Sequence, residues 1–217
     1  MKISEELWSS ASDIYERILS HEFLKEMADG TLEADKFRFY LAQDSIYLDS
    51  YVKALSYLAA KAPSSESRLL LLKRATNEVE TALHSSLTTA LGLEAKDRVQ
   101  CPTCRAYSDF IISAAASEPF HLGIAALLPC DWTYLKLGEE LIARMRSTNP
   151  YLPWAQAYSS EAYAEAVAEV LSVVDGLTVT EAELTKMKRY FRFGAYYEYL
   201  FWDSCYRMDR WEIGDLP

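Results

Sequence analysis

The amino-acid sequence predicts an all-α fold, a single-domain bundle of roughly seven helices, on three observations. Apolar residues recur at spacings of three and four almost throughout, the period of an amphipathic helix, and no alternating strand pattern competes. Only seven glycines and seven prolines occur, so the connections are short. The 217 residues can bury one sizeable core and contain no linker-like stretch, which favours one domain over residues 1–217.

Three helices are predicted in the first part of the chain. The first carries apolar residues at helical spacing and ends near Gly30. The second runs from about Ala34 to Lys61, where the proline at position 63 stops it. The third covers about 65–91 and is closed by a glycine.

Four more helices are predicted in the second part. The fourth begins at Thr103 and the fifth covers about 119–145. A proline-rich turn over 149–154 precedes a sixth helix that ends at Gly176. The last opens with Thr180-Glu181-Ala182-Glu183, a capping box in which each side chain satisfies a free backbone amide, and runs to about Arg207.

The charge balance argues against two classes of partner. With 32 acidic against 22 basic residues the net charge is −10, and no basic stretch interleaves with aromatic residues, so nucleic acid is not expected to bind. The first residues lack an apolar signal core, and no apolar run approaches the roughly 20 residues of a membrane span. We therefore expect a cytoplasmic protein whose four cysteines are thiols.

Two carboxylates fall on otherwise apolar helix faces. Asp44 lies within the stripe that contains Tyr40, Tyr47 and Tyr51, and Glu198 lies midway along the apolar face of the last helix. An ionised carboxylate removed from water costs several kcal/mol unless it is hydrogen-bonded or paired. Either residue alone is equally well explained as a structural hydrogen-bond acceptor, but the two together favour a functional cavity.

Cys130 follows a proline inside an apolar helix. The Pro129 ring removes one backbone donor and clashes with the carbonyl four residues earlier, which predicts a kink beside the thiol. Tyr134 lies one turn further on the same face. From spacing alone, Cys130 is equally well explained as a small buried apolar residue.

Two other patterns carry less weight. Cys101 and Cys104 have the spacing of half a zinc site or a redox pair, but no second ligand pair completes four ligands, so we interpret them as a helix-start feature. Glu80 and His84 are spaced to share a metal, yet no pair of Glu-x-x-His sequences is present. No metal site is expected.

The sequence resembles the thiaminase II (TenA) family of aminopyrimidine hydrolases along nearly its whole length. The matching segments include His21-Glu22-Phe23-Leu24, Phe37 to Tyr51 with Gln43-Asp44 and Tyr47-Leu48, Ala106-Tyr107, Leu127-Leu128-Pro129-Cys130 with Trp132 and Tyr134, Trp154 with Tyr158, and Tyr197-Glu198-Tyr199 with Phe201-Trp202-Asp203. Cys130 identifies the chain with the members that keep a catalytic cysteine.

The resemblance implies a heme-oxygenase-like helical fold, a homotetramer and no cofactor. It implies hydrolysis of 4-amino-5-aminomethyl-2-methylpyrimidine to the hydroxymethylpyrimidine and ammonia, and cleavage of thiamin to the same pyrimidine and a thiazole. Cys130 is then the nucleophile, Glu198 the proton donor and Tyr47 the residue that activates the thiol. The implied substrate-binding residues are Asp44, Tyr51, Tyr107, Tyr134, Tyr158 and Phe201.

Two alternatives from other classes remain open at this point. A chain of this fold can be a di-iron oxygenase, or a regulator that binds a pyrimidine without turning it over. Fold analogy cannot choose between them, because function belongs to the site.

Overall fold

Ten helices form the part of the chain that the computed structural model describes, residues 1–76 and 99–212. Their bounds are α1 Ile3–Ser10, α2 Ser12–Leu19, α3 Glu22–Asp29, α4 Ala34–Lys61, α5 Ser65–Ala75, α6 Pro102–Ser117, α7 Phe120–Ile142, α8 Leu152–Tyr158, α9 Glu161–Asp175 and α10 Glu181–Arg207. Within those ranges no strand occurs, which confirms the predicted all-α class.

The single helix predicted up to Gly30 is three short helices. The chain leaves helical geometry at Ala11 and again before His21, whose Nδ1 accepts the Phe23 amide at 3.1 Å and caps α3. These breaks turn the apolar faces of all three helices towards one core, an outcome that a single periodicity cannot show. Gly30 ends α3 with φ of +75°, a left-handed conformation that glycine adopts at little cost.

The proline-rich segment predicted as a turn contains a short helix, α8. Asn149 precedes it and donates through Nδ2 to the carbonyls of Met27 at 3.0 Å and Ala28 at 2.8 Å, while its Oδ1 accepts the Tyr151 amide at 2.8 Å. One side chain thereby closes the end of α3 and starts α8. α8 is only about two turns long, and its apolar residues are buried against other helices. So short a segment shows no recognisable helical period in the sequence, and the prediction therefore missed it.

The remaining boundaries agree closely with the predicted ones. α4 spans Ala34–Lys61, and α10 begins after Thr180, whose hydroxyl accepts the Glu183 amide while the Glu183 carboxylate accepts the Thr180 amide. α5 begins at Ser65 as predicted. Its predicted extension beyond residue 76, together with the Glu80–His84 pair, lies outside the described residues.

All ten described helices contribute to one buried apolar cluster. α10 packs along α7 and also meets α4 and α6, so its central turns are enclosed on several sides. Gly194 permits the closest approach, since a Cβ there would lie 2.6 Å from the Ala126 carbonyl oxygen and 2.8 Å from Pro129 Cγ. This packing brings the middle of α10 beside the interrupted turn of α7.

Candidate active site

Glu198 is a buried carboxyl on α10, 1% exposed. The Tyr107 hydroxyl of α6 donates to Oε1 at 2.7 Å, and Oε2 has no hydrogen-bond partner among the described residues. Burial raises its pKa to about 8; the Tyr107 hydrogen bond opposes that shift, and the charges of Asp44 and Asp131 add to it. Glu198 is therefore mostly protonated at neutral pH and has a proton to donate.

Asp44 lies on α4, 4% exposed, facing aromatic side chains. The Tyr40 hydroxyl donates to Oδ2 at 3.3 Å, and the Tyr134 hydroxyl approaches Oδ1 at 3.5 Å, a long and weak contact. Trp154 donates in turn to the Tyr40 hydroxyl at 3.0 Å. Asp44 thus lies at the end of a donor chain built from α4, α7 and α8.

Cys130 occupies the helical turn that Pro129 interrupts in α7, and its side chain is buried at 7% exposure. The proline lies inside the helix as predicted. Gly194 of α10 packs directly on the Pro129 ring. The turn that carries the thiol is therefore fixed from the α10 side.

Tyr47 packs on Tyr107, the tyrosine that donates to Glu198. Their rings lie 4.6 Å apart between centroids, and both are buried. Burial raises the pKa of Tyr47 well above 10, and the negative charges of Cys130 and Glu198 raise it further. Tyr47 accordingly keeps its proton, so it can act on the thiol only by donating a hydrogen bond to the thiolate and not as a base.

The remaining predicted residues extend the same cluster through ring contacts. The Tyr51 ring lies 6.1 Å from Tyr47, Phe201 lies 6.3 Å from Tyr47, and Tyr158 lies 4.8 Å from Tyr134 in an edge-on arrangement. All three are buried. The structure therefore brings all nine predicted site residues into one aromatic cluster drawn from α4, α6, α7, α8 and α10.

Sequence reasoning missed several residues of this cluster. Asp131, the residue after Cys130, forms a buried ion pair with Arg74, with Arg74 Nη2 and Asp131 Oδ2 2.7 Å apart. An acidic residue within an apolar helix was the available signal for Asp131, whereas nothing in the sequence of α5 singles out Arg74. Trp202 stacks on Tyr40 at 5.0 Å, and its periodicity could not be told from ordinary core packing.

The Cys101–Cys104 pair is a helix-start feature, as predicted. Cys101 caps α6, its Sγ accepting the Cys104 amide at 3.4 Å, and Cys104 Sγ contacts the Gln43 carbonyl at 3.4 Å. Both thiols are buried, and burial raises the pKa of Cys104 to about 12. No disulfide joins the four cysteines, all of which are described.

The described residues contain neither a metal-binding cluster nor a membrane-spanning helix. No group of three or more His, Cys, Asp or Glu side chains there is arranged to hold a metal ion. None of the described helices combines the length and the apolar content needed to cross a membrane.

Comparison with known proteins relates the chain to a family through almost its whole length. Residues 8–208 match the TENA/THI-4/PQQC family. A Bacillus subtilis protein named aminopyrimidine aminohydrolase is 34% identical over 97% of this chain and 92% of its own length.

Solved structures agree in fold. A TenA homologue from Pyrococcus horikoshii superposes with a TM-score of 0.84 at 27% identity, covering 95% of this chain and 99% of its own. A Shewanella denitrificans protein described as having a heme oxygenase-like fold has a TM-score of 0.77 at 13% identity, over 96% of this chain and 93% of its own, which shows the fold alone. The predicted heme-oxygenase-like class is confirmed.

Proposed function

The chain belongs to the TENA/THI-4/PQQC family, and on this premise we propose that it is an aminopyrimidine aminohydrolase. Its substrate is 4-amino-5-aminomethyl-2-methylpyrimidine, which it converts to the 5-hydroxymethyl compound and ammonia. Thiamin, which carries a thiazolium in place of the amine, is cleaved at the same methylene. The named Bacillus relative supports the reaction class, and the buried acid at Glu198 supports the chemistry.

The observation that carries this proposal is a protonated carboxyl held in the same cluster as a thiol. Tyr107 fixes one oxygen of Glu198 and leaves the other oriented to donate. The Tyr107 hydroxyl that donates to Glu198 belongs to a ring 4.6 Å from the Tyr47 ring, and the charge of Cys130 raises the pKa of both tyrosines. A nucleophile and a general acid at one site suit addition to an electron-poor ring.

The reaction proceeds by addition, elimination and replacement. The Cys130 thiolate forms a carbon–sulfur bond to the pyrimidine ring, and a ring nitrogen takes the Glu198 proton. The aminomethyl group reacts as its ammonium form: electrons flow from the ring to break the methylene–nitrogen bond, and neutral ammonia leaves. Water adds to the exocyclic methylene and releases one proton to solvent, the carbon–sulfur bond breaks to restore aromaticity and the thiolate, and the ring nitrogen returns its proton to Glu198.

The surrounding residues bind and orient the ring. Asp44, a buried carboxyl of this cluster, accepts hydrogen bonds from the aminopyrimidine edge. Tyr51, Tyr158 and Phe201 supply flat apolar surface for a planar substrate, and tyrosines add a polar tip. Tyr47 donates to the thiolate and favours its formation, as its raised pKa requires.

Ammonia release by the purified protein tests the activity. Cys130→Ser should lose at least 100-fold in kcat, because an alcohol is a far weaker nucleophile than a thiolate at neutral pH. Cys101→Ser is the matched control, since serine preserves the N-cap acceptor of α6 and should leave turnover unchanged. Undiminished turnover in Cys130→Ser would remove the thiol from the mechanism, and no ammonia from the wild type would refute the reaction.

We also propose that the protein works as a homotetramer in the cytoplasm. The exposed rings of Phe193 and Tyr196 on α10 border a groove against α2, a surface suited to self-association. Sedimentation should give four times the 24.7 kDa chain mass, and Tyr196→Asp should lower it. A monomer in the wild type contradicts the assembly, and recovery of the native protein outside the cytoplasmic fraction contradicts the location.

A further inference from the structure

The residue that follows the proposed nucleophile in α7 belongs to a buried ion pair. Asp131, the residue after Cys130, is 1% exposed, and its Oδ2 accepts from Arg74 Nη2 of α5 and from the Tyr51 hydroxyl of α4, each at 2.7 Å. Arg74 Nη1 also donates to the Ala166 carbonyl of α9 at 3.2 Å. Four helices therefore converge on the turn that carries the thiol.

We propose that Arg74 and Asp131 are positioning residues for the reaction. They fix the Cys130 turn and Tyr51, and because their charges cancel they keep either charge alone from shifting the ionisation of the thiol. This inference rests on the proposed function, since it takes Cys130 as the nucleophile. Neither residue is assigned contact with substrate; each acts through Cys130 or Tyr51.

The ion pair fixes the position of Tyr51. Its ring lies 6.1 Å from the Tyr47 ring, and its hydroxyl ends on Asp131 at 2.7 Å, so the side chain is held at both ends. Asp131 is in turn held by Arg74, a pair with side-chain exposures of 2% and 14%. A buried charge-assisted network of this kind rigidifies the groups it joins, and removing one partner leaves the other charge uncompensated.

The charge of Cys130 acts on three hydroxyls, those of Tyr47 and Tyr51 of α4 and of Tyr107 of α6. Arg74 of α5 and Asp131 carry opposite formal charges next to the Tyr51 hydroxyl. Asp44 of α4, Tyr134 of α7 and Glu198 of α10 belong to the same buried cluster. The tyrosines keep their protons, and Glu198 is mostly protonated at neutral pH.

The pKa of the Tyr51 hydroxyl responds both to the ion pair and to the thiol. Burial is the largest cause of its raised pKa; the charges of Asp131 and Cys130 raise it further, and the charge of Arg74 lowers it. Arg74, Asp131 and Cys130 are therefore all within electrostatic range of that hydroxyl. Removing either member of the pair should shift thiolate formation, and the two shifts should have opposite signs.

The test measures the pH dependence of Cys130 alkylation by iodoacetamide in the full-length protein, with peptide mass spectrometry to follow that residue. Asp131→Asn keeps the side-chain shape and leaves a positive charge, so the midpoint should fall by roughly one pH unit. Arg74→Met leaves a negative charge, so the midpoint should rise. The double variant removes both charges, and its midpoint should return to that of the wild type.

Matched controls separate local charge from general effects. Asp109→Asn, at the exposed Arg105–Asp109 ion pair, makes the same chemical change on the surface and should not move the midpoint. Tyr51→Phe removes a hydrogen bond without changing charge, so it should leave the midpoint in place and lower kcat/KM. Circular dichroism shows whether each variant folds. If Arg74→Met does not fold, the direction of the midpoint shift in Asp131→Asn alone tests the electrostatic proposal.

A purely structural role predicts loss of activity in every variant without opposed midpoint shifts. An unchanged or raised midpoint in Asp131→Asn therefore overturns the electrostatic proposal, and unchanged kcat/KM in Tyr51→Phe overturns the positioning of Tyr51. Alkylation needs no substrate, so these midpoints stand whether or not ammonia release is detected. The two proposals therefore fail separately.

Discussion

The raised pKa of Glu198 predicts that this residue destabilises the fold as the pH rises. In the unfolded chain the carboxyl ionises near pH 4.5, whereas in the folded protein it holds its proton to about pH 8. Below pH 4.5 the carboxyl is protonated in both states, and it does not change the free energy of unfolding. Between these values the unfolded chain releases a proton that the folded protein keeps, so the free energy of unfolding falls with rising pH until the folded carboxyl ionises too.

The size of this effect follows from the interval between the two pKa values. At about 1.4 kcal/mol per pH unit, the loss reaches roughly 3 kcal/mol at pH 7 and levels off near 5 kcal/mol above pH 8. Glu198→Gln has a similar shape and does not titrate. It should therefore be as stable as the wild type near pH 4, more stable at pH 8, and far less active.

The measurement is urea unfolding followed by circular dichroism at several pH values from 5 to 9, for the wild type and Glu198→Gln. The difference between the two proteins isolates this carboxyl from the other titrations. Glu183→Gln, on the same helix but exposed and with a lowered pKa, should give a difference that is constant from pH 6 to 9. A flat difference for Glu198→Gln as well would mean that the carboxyl is already ionised, and the proton-donor assignment would fail.

Three further outcomes follow from the same contacts. Tyr107→Phe removes a donor that lowers the Glu198 pKa, so the alkaline limb of the pH–rate profile should move to higher pH. Asp44→Asn removes a charge that raises it, so that limb should move to lower pH and KM should rise; shifts in one direction for both would contradict this account. Gly194→Ala places a methyl group 2.6 Å from a backbone oxygen, so it should lower the free energy of unfolding by about 1–3 kcal/mol, measured by thermal unfolding, and should also lower kcat. Gly176→Ala, where the nearest neighbour is 3.3 Å away, should change neither quantity.

Periodicity predicted what depends on one helix at a time. The all-α class, the extents of α4 and α10, and the inward placement of Asp44 and Glu198 all follow from spacing along one segment. The break at His21 is closed by a local cap, in which the His21 ring accepts the Phe23 amide, and apolar spacing does not register such a cap. The helix after Asn149 depends instead on hydrogen bonds between distant segments, which a local pattern cannot contain. The Arg74–Asp131 pair belongs to this second class, because its partners come from different helices.

The proposed nucleophile on α7 and the proposed proton donor on α10 come together where a proline in one helix packs against a glycine in the other. Pro129 interrupts the hydrogen bonding of α7 one residue before the thiol, and Gly194 lies one turn before the acid on α10. Because a Cβ at Gly194 would collide with Pro129 and with the carbonyl of Ala126, the two helices reach their observed separation only with glycine there. The residues that weaken each helix by propensity therefore set the distance between the nucleophile and the proton donor. Gly194→Ala should therefore lower kcat by a larger factor than it raises KM, because it separates the reacting groups and leaves Asp44 and its α4 neighbours in place. Changes of equal size in kcat and KM would point instead to a general loosening of the site.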